Sequence, residues 1–274
     1  MTATLAPPRA SQRAAVTAFV AMLARDLRVV RKQFVAFLIR TVMQPLLTTF
    51  VFAYVFPKIG QGIGGTSQSS DQFSTLLAPG LISFALIFQG IQAVALPLVS
   101  EFGYTREIED RVIAPLPVWA VGVQKISSGA IQAAVAAAVT LPIVLLVPST
   151  NVHLDVHWPI LVTILPLACA LAGALGLTIG TRVEPRQVSL MFSILVMPMS
   201  MLGAVYYPWS SLDEIPVLQW AVLVNPLVYM CEGLRAALTD VPHMPLPAIY
   251  AALIGFTVIL VKLGLDGFRK RVLT

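Results

Sequence analysis

Side chains that could bind a metal ion recur in one short segment between two apolar stretches. His153, Asp155 and His157 are of the types that coordinate metals. Three alternate residues of a short loop seldom make a closed site, so we predict no metal centre. Cys169 and Cys231 lie far apart inside apolar segments and therefore indicate neither a disulfide framework nor a ligand cluster.

A glycine-rich segment, Gly60–Gly65, matches the dinucleotide-binding pattern G-x-G-x-x-G. That pattern binds phosphate only at a strand-to-helix turn, whereas here it follows an apolar stretch long enough to cross a membrane. It also lacks the lysine of a phosphate-binding P-loop, because Thr66 and Ser67 come next. We predict a flexible loop and no cofactor bound by this chain.

The chain carries no sign of catalytic chemistry. It contains neither G-x-S-x-G nor H-E-x-x-H, the motifs of common hydrolases and metalloproteases. Ion-coupled transporters usually place acidic or histidine side chains at mid-membrane, and none of the long apolar stretches has one in its middle. We therefore predict no catalytic residues. If the chain takes part in energy-driven transport, the energy must come from outside this chain.

The elements that position the remaining candidates are membrane helices. Hydrophobic residues make up 57% of the 274 and charged residues only 11%, whereas soluble domains carry roughly 25% charge. A bilayer core needs about 20 apolar residues in a helix. Six stretches qualify, which predicts one all-α transmembrane domain over residues 1–274: Phe34–Phe56, Ser74–Val99, Val118–Val147, Trp158–Gly180, Gln187–Tyr207 and Pro247–Leu265.

Basic residues predict the orientation of these spans. With both termini in the cytoplasm, fourteen of the 18 lysines and arginines fall in inner segments, and only Lys58 and Arg235 fall outside. Arg40 and Lys262 lie inside spans near their cytoplasmic ends, where long side chains can reach the headgroups. Nucleic acid is not needed to explain the positive charge.

A seventh apolar stretch, Ile215–Leu238, would place the carboxyl terminus outside the cell if it crossed the membrane. Asn225 and Pro226 interrupt it, and Glu232 and Arg235 are costly in lipid. We predict that residues 208–238 form re-entrant helices on the outer side. Glu232 and Arg235 form either a gate or an i, i+3 ion pair that only stabilises the fold.

Residues 11–32 predict an amphipathic helix in the inner membrane interface. Apolar residues recur at helical spacing, and basic residues take the opposite face. The alternative is an ordinary positively charged flank of the first span. The basic residues are Arg25, Arg28, Arg31 and Lys32.

Residues 101–113 contain the most charged inner loop. Opposite charges recur four residues apart, which favours a short helix able to dock on a partner; a solvated loop is the alternative. The charged stretch consists of Arg106, Glu107, Ile108, Glu109, Asp110 and Arg111.

These features in this order resemble the type 2 ATP-binding-cassette (ABC) export permeases, with the daunorubicin and multidrug branch nearest. Three segments carry the resemblance: Arg25–Arg28, the loop Glu107–Pro117, and Asn225–Leu227 followed by Glu232 and Arg235. No single segment is diagnostic, but their order in a six-span chain is typical of the family.

The resemblance implies a function for each segment. The charged loop is expected to be the coupling helix that docks on a cytosolic ATPase, which would bind ATP and magnesium, and residues 208–238 the outer re-entrant gate. Two permease and two ATPase subunits would form an exporter of a hydrophobic or amphiphilic compound in the bacterial inner membrane. A lipid-linked glycan exporter or a non-transporting membrane subunit are the alternatives; a channel is disfavoured by the lack of mid-membrane charge.

Overall fold

The computed structural model describes residues 12–59, 67–105, 117–149, 151–184, 187, 190 and 192–273. Within these ranges the regular structure is entirely helical. The helices are α1 Gln12–Lys32, α2 Phe34–Thr49, α3 Ser67–Ser100, α4 Val118–Leu146, α5 Trp158–Arg182, α6 Met197–Met201, α7 Pro216–Ala221, α8 Pro226–Leu238 and α9 Leu246–Leu273.

Several helices continue through turns of different pitch. α2 runs on through the π-helical turn Phe50–Val55 to Lys58, and α3 runs on through Glu101–Thr105. The π-helical turn Phe192–Val196 leads into α6, while 3₁₀ turns lie at Trp209–Leu212 and Val222–Val224.

Five helical segments are long and apolar enough to cross a membrane: Phe34–Val55, Phe73–Gly103, Val118–Leu146, Trp158–Arg182 and Leu246–Val272. They coincide with predicted spans one to four and six. The chain is therefore a multi-pass, all-α integral membrane protein, as the hydropathy pattern predicts.

The predicted fifth span, Gln187–Tyr207, differs at its outer end. In the part of it that the structure describes, α6 ends at Met201, and Ala204 takes a positive φ of 55°. The boundary at Tyr207 is thus wrong. The reason is tertiary, because the Ala204 carbonyl turns away to accept a hydrogen bond from Arg235.

The seventh apolar stretch is bent as its Asn-Pro break predicts. The segments Pro216–Val224 and Pro226–Leu238 meet at an angle of 97°. A bend this sharp suits a chain that enters and leaves on one face, although a broken span has the same geometry. The re-entrant path stays a prediction, while the break at Asn225 is confirmed.

α5 lies at the centre of the bundle, against α3, α4 and α9. Glycines on its surface allow the backbones to approach closely. A Cβ at Gly173 would lie 2.5 Å from the Ile126 carbonyl oxygen, and one at Gly176 would lie 2.6 Å from that of Gly90. α2 and α9, in contrast, leave broad apolar faces uncovered.

We predict that Gly176→Ala destabilises the bundle and Gly255→Ala does not. A Cβ at Gly255 would meet no atom within 4 Å. In both variants the change from glycine to alanine favours helix formation by about 1 kcal/mol. Overpacking at Gly176 should cost about 1–3 kcal/mol. Thermal unfolding midpoints in detergent compare the two variants, and equal midpoints would contradict this packing.

Candidate functional site

Glu232 and Arg235 form a buried ion pair within α8. Their side chains are 1% and 0% exposed, and Arg235 Nη1 donates a hydrogen bond to Glu232 Oε1. Both residues occupy the same helix face because they lie three residues apart. The pairing predicted from their spacing is present.

This pair also binds three segments outside α8. Glu232 Oε1 accepts a hydrogen bond from the Trp209 backbone N at 2.9 Å, and Oε2 accepts one from Met244 N at 2.9 Å. Arg235 Nη2 donates to the Ala204 carbonyl oxygen at 3.2 Å. We call these hydrogen bonds the Glu232 clamp, since they connect α8 to chain segments before and after it. They support the alternative in which the ion pair stabilises the fold. A gating role stays a prediction.

Asn225 holds the sharp bend before α8. Its Oδ1 accepts a hydrogen bond from the Leu227 backbone N at 3.0 Å, which caps the helix, and Pro226 occupies the first helical position. Its Nδ2 donates to the Met199 carbonyl oxygen at 2.7 Å, which ties the bend to α6. Asn225 thus fixes the start of α8, while Glu232 and Arg235 fix its later turns.

A second buried charge cluster lies at the C-terminal end of α3. Lys125 of α4 is 4% exposed, and its Nζ lies 2.7 Å from Glu101 Oε1 and 3.9 Å from Asp26 Oδ2. Gln124 Nε2 donates to the same Asp26 oxygen at 2.9 Å. One ammonium group thus joins α1, the end of α3 and the start of α4.

Sequence reasoning missed this cluster, since it treated Lys125 only as a basic residue that sets orientation. A usable signal was present. Lys125 follows Val118 by seven residues in an otherwise apolar stretch, and such a charge needs a partner. Acidic candidates precede it in the sequence, with Glu101 directly after α3 and Asp26 within α1.

The other predicted site residues are placed as follows. Arg25, Arg28, Arg31 and Lys32 lie on exposed positions of α1, which confirms the helix; its position in the membrane interface stays a prediction. The coupling residues Arg106–Arg111 and the loop Gly60–Gly65 lie outside the described residues. The described turn Glu101–Thr105 precedes the predicted coupling residues, and Glu101 in it is held by the Lys125 cluster.

The histidine segment before α5 makes ordinary contacts. His153 N donates to Thr75 Oγ1 at 3.1 Å, and His157 Nε2 lies 3.6 Å from Asp240 Oδ1. Across the described ranges, no three His, Cys, Asp or Glu side chains come together in a way that could hold a metal ion.

The family model described as ABC-2 type transporter matches residues 17–239. The chain belongs to the ABC-2 type transporter family. The match begins within α1 and ends just after α8, so it includes both buried charge clusters. Similar proteins include the inner membrane transport permease YadH of Escherichia coli K12, of E. coli O157:H7 and of Shigella flexneri, each 26% identical over 230 residues, which cover 82% of this chain and 86% of the relative.

Membership assigns the general activity. Chains of the ABC-2 type are the membrane subunits of transporters, and nucleotide hydrolysis belongs to a separate ABC ATPase subunit. This protein is therefore a transport subunit and not itself an enzyme. The Glu232–Arg235 and Lys125 clusters therefore belong to a transport subunit and do not form a catalytic centre.

We predict that Glu232→Gln loosens α8. Both oxygens of Glu232 accept hydrogen bonds, so a glutamine must turn its NH₂ toward a donor and also leaves Arg235 without its counter-charge. Loss of one partner from a buried pair costs about 3–5 kcal/mol. In a Cys169→Ala background, reaction of the buried Cys231 with a thiol reagent should accelerate.

Glu214→Gln is the matched control, because Glu214 is exposed in the same outer segment. Its labelling rate should equal that of the parent protein. An unchanged rate in Glu232→Gln would show that the clamp does not hold α8 in place.

Proposed function

We propose that this chain is the permease subunit of an ATP-driven exporter that moves a hydrophobic or amphiphilic compound out of the cytoplasm or inner leaflet. ATP and magnesium bind to the partner ATPase, which grips residues 101–113. The observation that carries the proposal is the buried Lys125 cluster, since it connects the base of this loop to two other elements of the bundle.

The cluster gives the loop a mechanical connection. Glu101 begins the turn that leads into the loop, and its carboxylate is held by Lys125 at 2.7 Å. Asp26 of α1 shares this ammonium and Gln124. Force applied by the ATPase to the loop therefore reaches α1 and α4 together instead of being absorbed by loop bending.

Membrane and orientation follow from the same proposal. The Lys125 end is the cytoplasmic end, because most basic residues lie at the ends of spans on that side, and both termini are then cytoplasmic. The YadH relatives are inner membrane transport permeases, which supports an inner-membrane location.

A second permease subunit is expected to cover part of the exposed apolar surface. α2 presents large uncovered side chains, and α9 does the same. Lipid covers some of them, while a route between two permease subunits requires that others face the second subunit, which is either identical to this chain or related to it. The exposed residues include Val35, Ile39, Met43 and Leu47 on α2, and Ile254, Val258 and Ile259 on α9.

The aromatic residues at the outer end favour a small amphiphile over a glycan. Phe52 packs against Tyr206 with ring centroids 5.0 Å apart and against Phe56 at 5.2 Å, and Phe50 stacks on Tyr54 at 5.2 Å. These rings pack on one another, so less of their surface is left for stacking on sugar rings.

We predict that Glu107→Ala combined with Arg111→Ala weakens binding of the ATPase. The ATPase is the soluble protein with a G-x-x-x-x-G-K-[ST] motif expected from a neighbouring reading frame. Removing the paired charges should lower its retention on tagged permease and the ATPase rate of the complex.

The control Arg182→Ala with Glu184→Ala removes one basic and one acidic residue, both exposed, from another segment of the same predicted side. It should retain the ATPase. If both double variants retain it equally and keep the ATPase rate, residues 101–113 are not the coupling segment.

Lys125→Met should separate binding from coupling. The ATPase should still bind, but the permease should no longer change its hydrolysis rate, because Glu101 and Asp26 lose the ammonium that joins them. Lys125→Met with Glu101→Gln removes the uncompensated carboxylate and should recover stability without restoring coupling. Restored coupling in that double variant would contradict a mechanical role for the cluster.

A further inference from the structure

A polar cleft lies between α1, α2, α3 and α4. Its volume is about 380 Å³, within the range of small-molecule sites. Gln89 and Gln92 line it from α3, and Ser128 and Gln132 line it from α4. A lining of amides and hydroxyls within membrane spans needs water or a polar ligand opposite it.

Arg40 contributes a positive charge to this cleft. It lies six residues beyond Phe34, the start of the first span, which is about 9 Å along the helix. Within the described ranges no carboxylate lies at ion-pair distance from its guanidinium. A guanidinium at this depth is stabilised by an anion, either at the level of the headgroups or inside the cleft.

The acidic side chains that line the cleft already have interaction partners. Asp26 and Glu101 also line it, but they contact Lys125 and, in the case of Asp26, Gln124. Lys125 is in turn paired with Glu101, so among the described residues that line the cleft the charge with no ion-pair partner is that of Arg40. The complement to this surface is a monoanion.

Hydrogen-bond donors accompany the charge. Thr41 Oγ1 donates to Gln89 Oε1 at 3.1 Å, so the NH₂ of that amide is the group left to bind a ligand oxygen. Val29, Phe37 and Ala93 supply apolar walls beside these donors. The combination fits an anionic headgroup followed by an apolar chain.

We propose that this cleft binds the headgroup of an anionic amphiphile, with a phosphodiester or carboxylate oxygen on Arg40 and the Gln89 amide and with the chain along α2. The inference rests on the proposed function in one respect, since it makes such an amphiphile a candidate cargo. A bilayer lipid and the exported compound share this chemistry, and the experiment separates them.

The test measures lipid binding to the purified permease–ATPase complex by native mass spectrometry. Dioctanoyl phosphatidylglycerol is compared with dioctanoyl phosphatidylcholine, which has the same chains and a neutral headgroup. The parent complex should prefer phosphatidylglycerol, and Arg40→Gln should reduce that preference about tenfold, the scale of one charge-assisted hydrogen bond. Arg40→Lys should retain most of it.

Lys262→Gln is the matched control. Lys262 is a basic residue on an exposed position of another span and does not line the cleft, so this variant should keep the preference. No preference in the parent complex, or an equal loss in Arg40→Gln and Lys262→Gln, would overturn the proposal.

A second measurement identifies the source of the amphiphile. In vesicles containing the complex, ATP-dependent movement of fluorescent phosphatidylglycerol to the opposite leaflet supports cargo, while binding without movement supports a resident lipid; the site stands in both cases. Binding does not require hydrolysis. Failure of ATPase coupling with intact lipid preference therefore counts against the proposed function alone.

Discussion

Charged groups that leave water inside a helical bundle must meet opposite charge, because an uncompensated charge in that setting costs several kcal/mol. Two places in the part of the chain that the structure describes meet that condition. Glu232 and Arg235 pair inside α8, and Lys125 pairs with Glu101 and approaches Asp26. The remaining architecture can be understood as what brings these groups together.

Close helix packing makes both clusters possible. α5 has glycines where α3 and α4 cross it, so the backbones approach one another closely at these positions. α3 packs closely on the Val205 backbone at Gly80, next to the Ala204 contact of Arg235, and is followed at its other end by Glu101 of the Lys125 cluster.

The two clusters differ in what they join. The Glu232 clamp connects elements close to one another in sequence, from Ala204 to Met244, and so stiffens one end of the described bundle. The Lys125 cluster connects α1 with α4 and with the turn Glu101–Thr105 that follows α3. This contrast suits a transport subunit of the ABC-2 type, which must transmit movement at one end while holding a rigid barrier at the other. The cleft shares Asp26, Glu101 and Lys125 with the cluster, so a ligand bound there would be coupled to the same contacts.

The sequence by itself determined the class, the four first spans, the last span and the break at Asn225, since hydropathy and proline act locally and the bilayer imposes a fixed length. It also identified the Glu232–Arg235 pair, because residues three apart on a helix are neighbours whatever the fold. Tertiary structure alone decided that Asp26 meets Gln124, 98 residues away, and that α6 ends at Met201 because Arg235 takes the Ala204 carbonyl. Which distant charges pair depends on helix order, rotation and depth, and no local pattern of residues encodes those three quantities.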